Sequence, residues 1–151
     1  MTPTTPHRRP VRAHAGDAGS ATLEVAILTP ALLLLLALVV FAGRVQVAAG
    51  AVEHAAAVAA REASLTRTAG AARTAATTAA TIDLDGQDLR CATSTVTVDT
   101  AGFARPLGSG SHVTATVTCT VSIADLAIPG LPGTRTLTAT ATSPLDRYRA
   151  R

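Results

Sequence analysis

Gly19-Ser20-Ala21-Thr22-Leu23-Glu24 leads directly into an uncharged run from Val25 to Gly43, which Arg44 closes. As a helix these 19 residues would span ~28 Å, against ~30 Å for the hydrocarbon core of a bilayer. Leu32 to Leu36 is pure leucine, and only Thr29 and Pro30 interrupt the apolar character. A proline is tolerated in a membrane helix when neighbours or a threonine hydroxyl satisfy the freed carbonyl. The stretch is therefore expected to be a transmembrane helix. The competing reading is a buried helix of a soluble protein, but soluble core helices seldom run this long without a charge.

What precedes the run sets its direction. Arg8, Arg9 and Arg12 lie ahead of it, and no acid occurs before Asp17. The positive-inside rule then puts the N-terminus in the cytoplasm and the residues after Arg44 outside. Residues 1–18 hold Pro, Thr, His and Arg without periodicity and read as a disordered leader. Glu24 stands at the apolar edge, where a carboxylate is expensive and a plain anchor gains nothing from one. Gly19, five residues earlier, offers a peptidase a backbone with no side chain in the way. Basic leader, glycine, four residues, glutamate and long apolar helix form the pattern of a prepilin signal. Such a signal is cut before its helix, between Gly19 and Ser20, and the helix is retained. A secretory signal is cut after its apolar stretch and loses it.

The chain has 151 residues, enough for one small domain plus an anchor. Its aromatics are Phe41, Phe103 and Tyr148. A core must then be built from Ala, Val, Leu and Thr, and such a thin core is expected to lean on a disulfide or a partner. Lysine is absent, which excludes any mechanism that needs a lysine amine. The formal charge of +3 comes from arginines spread along the chain. With almost no aromatic surface to stack bases, nucleic acid is not an expected partner.

Helix formers dominate from Thr22 to about Thr66. Beyond the apolar run, Val45, Ala48, Val52, Ala56, Ala59 and Ala63 recur in steps of three and four. That spacing makes one narrow stripe of small residues, which permits close helix approach. Gly70 interrupts, a second alanine-rich stretch runs from Ala71 to Ala80, and Asp83-Leu84-Asp85-Gly86 ends it with turn chemistry. After Arg90 the period becomes two. Val113, Ala115, Val117, Cys119, Val121 and Ile123 alternate with threonines and Ser122, which predicts a half-buried strand. Leu137, Ala139 and Ala141 alternate likewise, and Thr95-Val96-Thr97-Val98 is a shorter version. Gly102, Pro106, Gly108 and Gly110, then Pro129, Gly130, Pro132 and Gly133, mark loops.

The expected fold is α+β and membrane-anchored. A long N-terminal transmembrane helix continues into an extracytoplasmic amphipathic helix, followed by a small three-stranded antiparallel sheet. The soluble half of the long helix is the expected cover for the sheet's apolar face. The divisions are 1–19 leader, 20–43 processing-site glutamate and membrane helix, 44–82 alanine-rich helical region, and 83–151 β domain.

Cys91 and Cys119 both fall on the expected outer side, where a pair normally closes a disulfide. The loop it closes is worth about 3.5 kcal/mol in the chain-entropy model. Two free buried thiols are the alternative. Cys91 does not share parity with Val96 and Val98, so it is expected to precede that strand. Asp83, Asp85 and Asp88 fail the spacing of a calcium loop, and no glutamate closes it. Glu53-His54 lacks the second histidine of HExxH and reads as a polar helix face. Gly108-Ser109-Gly110-Ser111-His112 does not match a nucleophile elbow. No catalytic, cofactor or metal residues are expected, and the chain is not expected to be an enzyme.

The leader, the GSATLE string, the membrane helix and its continuation through Ala59-Ala60-Arg61-Glu62-Ala63 resemble the TadE-like family, pseudopilins of the tight-adherence (Flp/Tad) system. The final strand running into Pro144-Leu145-Asp146-Arg147-Tyr148-Arg149 also looks similar. The resemblance implies a pilin-like fold, with Gly19 before the scissile bond and Glu24 as the acid five residues into the mature chain. An aromatic often follows that acid in the family; here it is Val25. It implies a prepilin peptidase, pilin or pseudopilin subunits, the inner-membrane assembly platform and the lipid bilayer as partners. The expected location is the cytoplasmic membrane, single-pass, with the C-terminal domain outside and incorporation in a surface pilus open. The alternative is a generic single-pass or Sec-secreted envelope protein, cut near Phe41-Ala42-Gly43 if cut at all.

Overall fold

The computed structural model describes residues 17–106, 108–126, 132–146 and 148, and side chains from residue 23 onward except those of 125 and 126. The leader arginines, Pro129 and Gly130 of the expected loop, Arg147 and Arg149 lie outside the described residues. The chain divides into two compact units, with the boundary after Leu38.

Helix α1 runs from Asp17 to Leu65 with Pro30 inside it. From Leu23 to Val40 every side chain is exposed, on all sides of the helix. A helix that is apolar all round is a core helix or a membrane span, and no described residue of its own unit covers this one. Among the described residues it is the one helix long and apolar enough to cross a membrane. Pro30 removes one backbone donor. The Thr29 hydroxyl donates to the Val25 carbonyl at 2.6 Å, one residue short of the Ala26 carbonyl that the proline leaves free.

The second unit contains the last part of α1, α2 (Ala69–Gly86) and a sheet of β1 (Cys91–Asp99), β2 (His112–Ser122) and β3 (Thr134–Pro144). A 3-10 turn at Ala101–Ala104 and a four-residue helix, α3 (Ile123–Leu126), flank β2. The sheet is an antiparallel meander in the order β1-β2-β3, as the alternation predicts. Ile123 is the exception, since it starts α3 instead of ending the strand.

α2 is longer than the stretch from Ala71 to Ala80. Thr68 caps its start, its hydroxyl accepting from the Ala71 N–H at 3.2 Å, which places Gly70 in the first turn rather than at a break. Asp83 and Asp85 are helical. The stop comes at Asp88, whose φ of 54° is the left-handed conformation. The Leu89 N–H bonds the Leu84 carbonyl at 3.2 Å and the Asp88 N–H bonds the Asp85 carbonyl at 3.2 Å. That pair is a Schellman motif, and Leu84 is buried with Leu89 packed against the core.

Cys91 also departs from expectation. It is the first residue of β1, pairing with Val121, and the register shifts between Cys91 and Thr93. The irregularity inserts a residue and flips parity, so a period-two count places Cys91 outside a strand to which it belongs.

The core is built from small side chains. Ala55, Ala56, Ala59 and Ala63 of α1, Ala72, Ala76 and Ala80 of α2, and Val113, Ala115, Val117 and Cys119 of β2 are wholly buried. The largest fully buried side chains are valines and Cys119. The cover of the sheet is a helix pair, not α1 alone, because an alanine stripe is too shallow to shield the sheet by itself. Alanines let the two helices approach closely, and β2, the central strand, contributes its whole apolar face. Cys91 and Cys119 form a disulfide with a Cα–Cα distance of 5.4 Å, tying β1 to that central strand.

The sheet's other face is threonine. Thr114–Thr142, Thr116–Thr140, Thr118–Thr138 and Thr120–Thr136 pair across β2 and β3, hydroxyl to hydroxyl, at 3.1, 2.9, 3.2 and 3.2 Å. Such cross-strand pairs fix register and satisfy polar groups on an exposed face. At one end, Gly102 lies against the start of β2. A Cβ there would overlap the His112 carbonyl oxygen, so the close approach requires glycine.

Candidate functional site

The sequence-derived site comprises Gly19, Ser20 and Glu24. All three lie in the first turns of α1. Glu24 is exposed, beside Leu23 and Val25. Leu23 and Val25 are themselves 65% and 62% exposed. Glu24 therefore stands at the end of an apolar surface that no described residue of its own unit covers. A carboxylate in that position is stabilised by water, by a lipid headgroup or by a cation from another chain.

The other sequence-derived pair, Cys91 and Cys119, is joined. Cys119 is wholly buried, and no described cysteine is free. The disulfide lies between strands β1 and β2, with Cys119 in the core and half-buried Cys91 at the edge of a cleft it shares with Leu84, Asp88 and Ser94.

Among the described residues no group of three or more His, Cys, Asp and Glu could hold a metal ion. One polar cluster lies between the helices. His54 Nδ1 of α1 is 2.9 Å from Asp83 Oδ1 and 3.0 Å from Asp83 Oδ2 of α2. The Gln87 Nε2 donates to Asp83 Oδ2 at 2.6 Å. The His54 side chain is 62% exposed, so the contact is a surface clip between α1 and α2. Screening makes such pairs weak. The sequence places His54 on a polar helix face but gives no signal for its partner, because the register between two helices is set by packing. Elsewhere, Arg73 Nη2 donates to Thr100 Oγ1 at 2.9 Å, and Ser143 Oγ donates to Ser64 Oγ at 3.0 Å, linking β3 to α1.

Residues 19–61 match the family model described as TadE-like protein. The matched segment begins at Gly19, contains Glu24 and the whole apolar run, and ends at Arg61 inside the alanine-rich part of α1. This is the family that the GSATLE string and its flanks resemble. No curated protein and no solved structure matches the chain.

Proposed function

We propose that the chain is a TadE-like pseudopilin, cut between Gly19 and Ser20 by a prepilin peptidase and acting without catalysis in Flp/Tad-type pilus assembly or secretion. The observation that carries this reading is the match over residues 19–61 beginning at Gly19, on a helix whose first apolar turns expose Glu24. In this reading α1 crosses the cytoplasmic membrane once, with the leader inside and the disulfide-bonded sheet outside. Its partners are the peptidase, pilin-like subunits and the inner-membrane assembly platform.

The proposed cleavage gives Ser20 a new α-amino group. An acid at a membrane boundary is costly alone and much less so beside an ammonium. Glu24 then pairs with the N-terminus of a neighbouring subunit and fixes axial register as helices pack. Sequencing the native N-terminus tests the cleavage: the mature chain starts at Ser20, whereas a start at Met1 or Gly43 would falsify the processing step and favour a plain envelope anchor. Glu24→Ala tests the pairing. Insertion persists while cross-linking to pilin-like partners and pilus formation fall. Unchanged cross-linking and pilus formation would leave Glu24 without that role.

A further inference from the structure

Just past its apolar run, α1 faces the C-terminal turn of α2 across an open groove of about 510 Å³. Val40, Val47 and Leu89 supply its aliphatic lining, Arg44 and Asp88 its charges, and Gly43 lies between. Val40 is 49% and Val47 75% exposed, so two valines flank Arg44 on an open surface. A Cβ at Gly43 would meet nothing within 4 Å, which leaves this stretch of the wall without a side chain. Arg44 is the first charged residue after Glu24. Along a helix, Val40 to Val47 rises about 10 Å, somewhat more than the roughly 5–8 Å of one headgroup layer. If α1 spans the bilayer as proposed above, the groove lies where outer-leaflet acyl chains give way to headgroups.

We propose that this groove seats one outer-leaflet phospholipid whose headgroup carries both a phosphate and a primary ammonium. This inference rests on the membrane-spanning reading of α1. The guanidinium of Arg44 takes the phosphate, for which its planar fork of donors is suited. The carboxylate of Asp88 takes the ammonium. Asp88 is held on a short tether, since its backbone is fixed at φ 54° and its N–H is bonded to the Asp85 carbonyl. The aliphatic part of the lipid lies along Val40, Val47 and Leu89. A headgroup bearing only negative charge would leave Asp88 facing a like charge, and a quaternary choline has no N–H to donate to it. The same contacts hold the α2–β1 connection against the bilayer surface.

Native mass spectrometry of the full-length, detergent-solubilised protein tests this. It is exposed to equal amounts of phosphatidylethanolamine, phosphatidylglycerol and phosphatidylcholine. One phosphatidylethanolamine per chain is retained, with a preference of about five-fold or more over the other two. Arg44→Gln lowers retention about ten-fold, as expected for one lost charge-assisted contact, while Arg44→Lys keeps most of it. Asp88→Asn erases the preference over phosphatidylglycerol. Gly43→Leu fills the groove and expels the lipid. Inorganic phosphate alone does not displace it. Equal retention of the three lipids, or undiminished retention in Gly43→Leu, overturns the inference. Carbonate extraction of membranes run in parallel separates the two readings. Protein released by carbonate removes both, whereas protein that stays in the membrane but binds lipid without preference removes only this one.

Discussion

Between Leu23 and Val40 every side chain of α1 faces open surroundings, whereas between Ala48 and Ala63 the same helix buries alanines completely. The first region is made mostly of large aliphatic residues, each about half exposed or more. The second is made of the smallest side chain that still favours a helix. Size follows from surroundings. In the proposed membrane setting, lipid accommodates any aliphatic shape, so bulk there is unconstrained. A protein neighbour must fit closely, so the stripe against α2 and the sheet is held to alanine. The protein core gains little from each alanine it buries, which is why the second region needs the disulfide and the first does not.

That contrast can be broken in several places. The largest effect is expected at the disulfide. Cys119→Ala should lower the stability of the sheet-containing unit by about 3.5 kcal/mol in the chain-entropy model, read by urea unfolding in detergent. Membrane insertion and N-terminal processing should be unaffected, since neither involves the sheet. Next comes charge. Leu34→Arg should oppose insertion by about 3 kcal/mol, measured as the inserted fraction. The same change at exposed Ala57 should leave insertion and folding unaltered.

A size change sharpens the comparison further. Ala59→Leu puts extra methylenes where Ala59 is wholly buried and should destabilise by about 2 kcal/mol. Ala37→Leu, on the exposed part of the helix, should be neutral in the same unfolding assay. The smallest effect is at Gly50, which is helical and would place a Cβ in open space. Gly50→Ala should stabilise by about 0.5–1 kcal/mol.

The strong periodicities of the chain were legible. The eleven-residue alternation around Cys119 marks β2 to within one residue at each end. The steps of three and four in α1 find Ala48, Val52, Ala56, Ala59 and Ala63, all buried, while Val45 at the head of the stripe is only half-buried. They miss Ala51, Ala55 and Ala60, because a helix wedged between another helix and a sheet buries a wider face than one stripe. The bulge after Cys91 was hidden for a physical reason: an inserted residue breaks the parity that the reading depends on. The Thr68 cap was present in the sequence as a threonine ahead of an alanine run, and Gly70 masked it. The end of α2 was hidden because Asp88 takes the left-handed position that glycine usually fills. The His54–Asp83 contact and the Arg44–Asp88 groove depend on how α2 packs on α1, and neither helix states that register alone. For the processing site, Gly19 and Glu24 were legible as a spacing, and the family match over 19–61 covers that spacing.

The central claim of the proposed reading is that one continuous helix passes from lipid to protein near Arg44, with its later half outside the cytoplasm. Single-cysteine labelling in intact cells tests it most directly, since the native cysteines are joined and silent to a thiol reagent. Ala37→Cys and Ala57→Cys are each treated with a membrane-impermeant maleimide before and after lysis. The account predicts that Ala57→Cys labels in intact cells and that Ala37→Cys labels only after denaturation in detergent. Labelling of Ala37→Cys in intact cells, or of Ala57→Cys only after lysis, would contradict it.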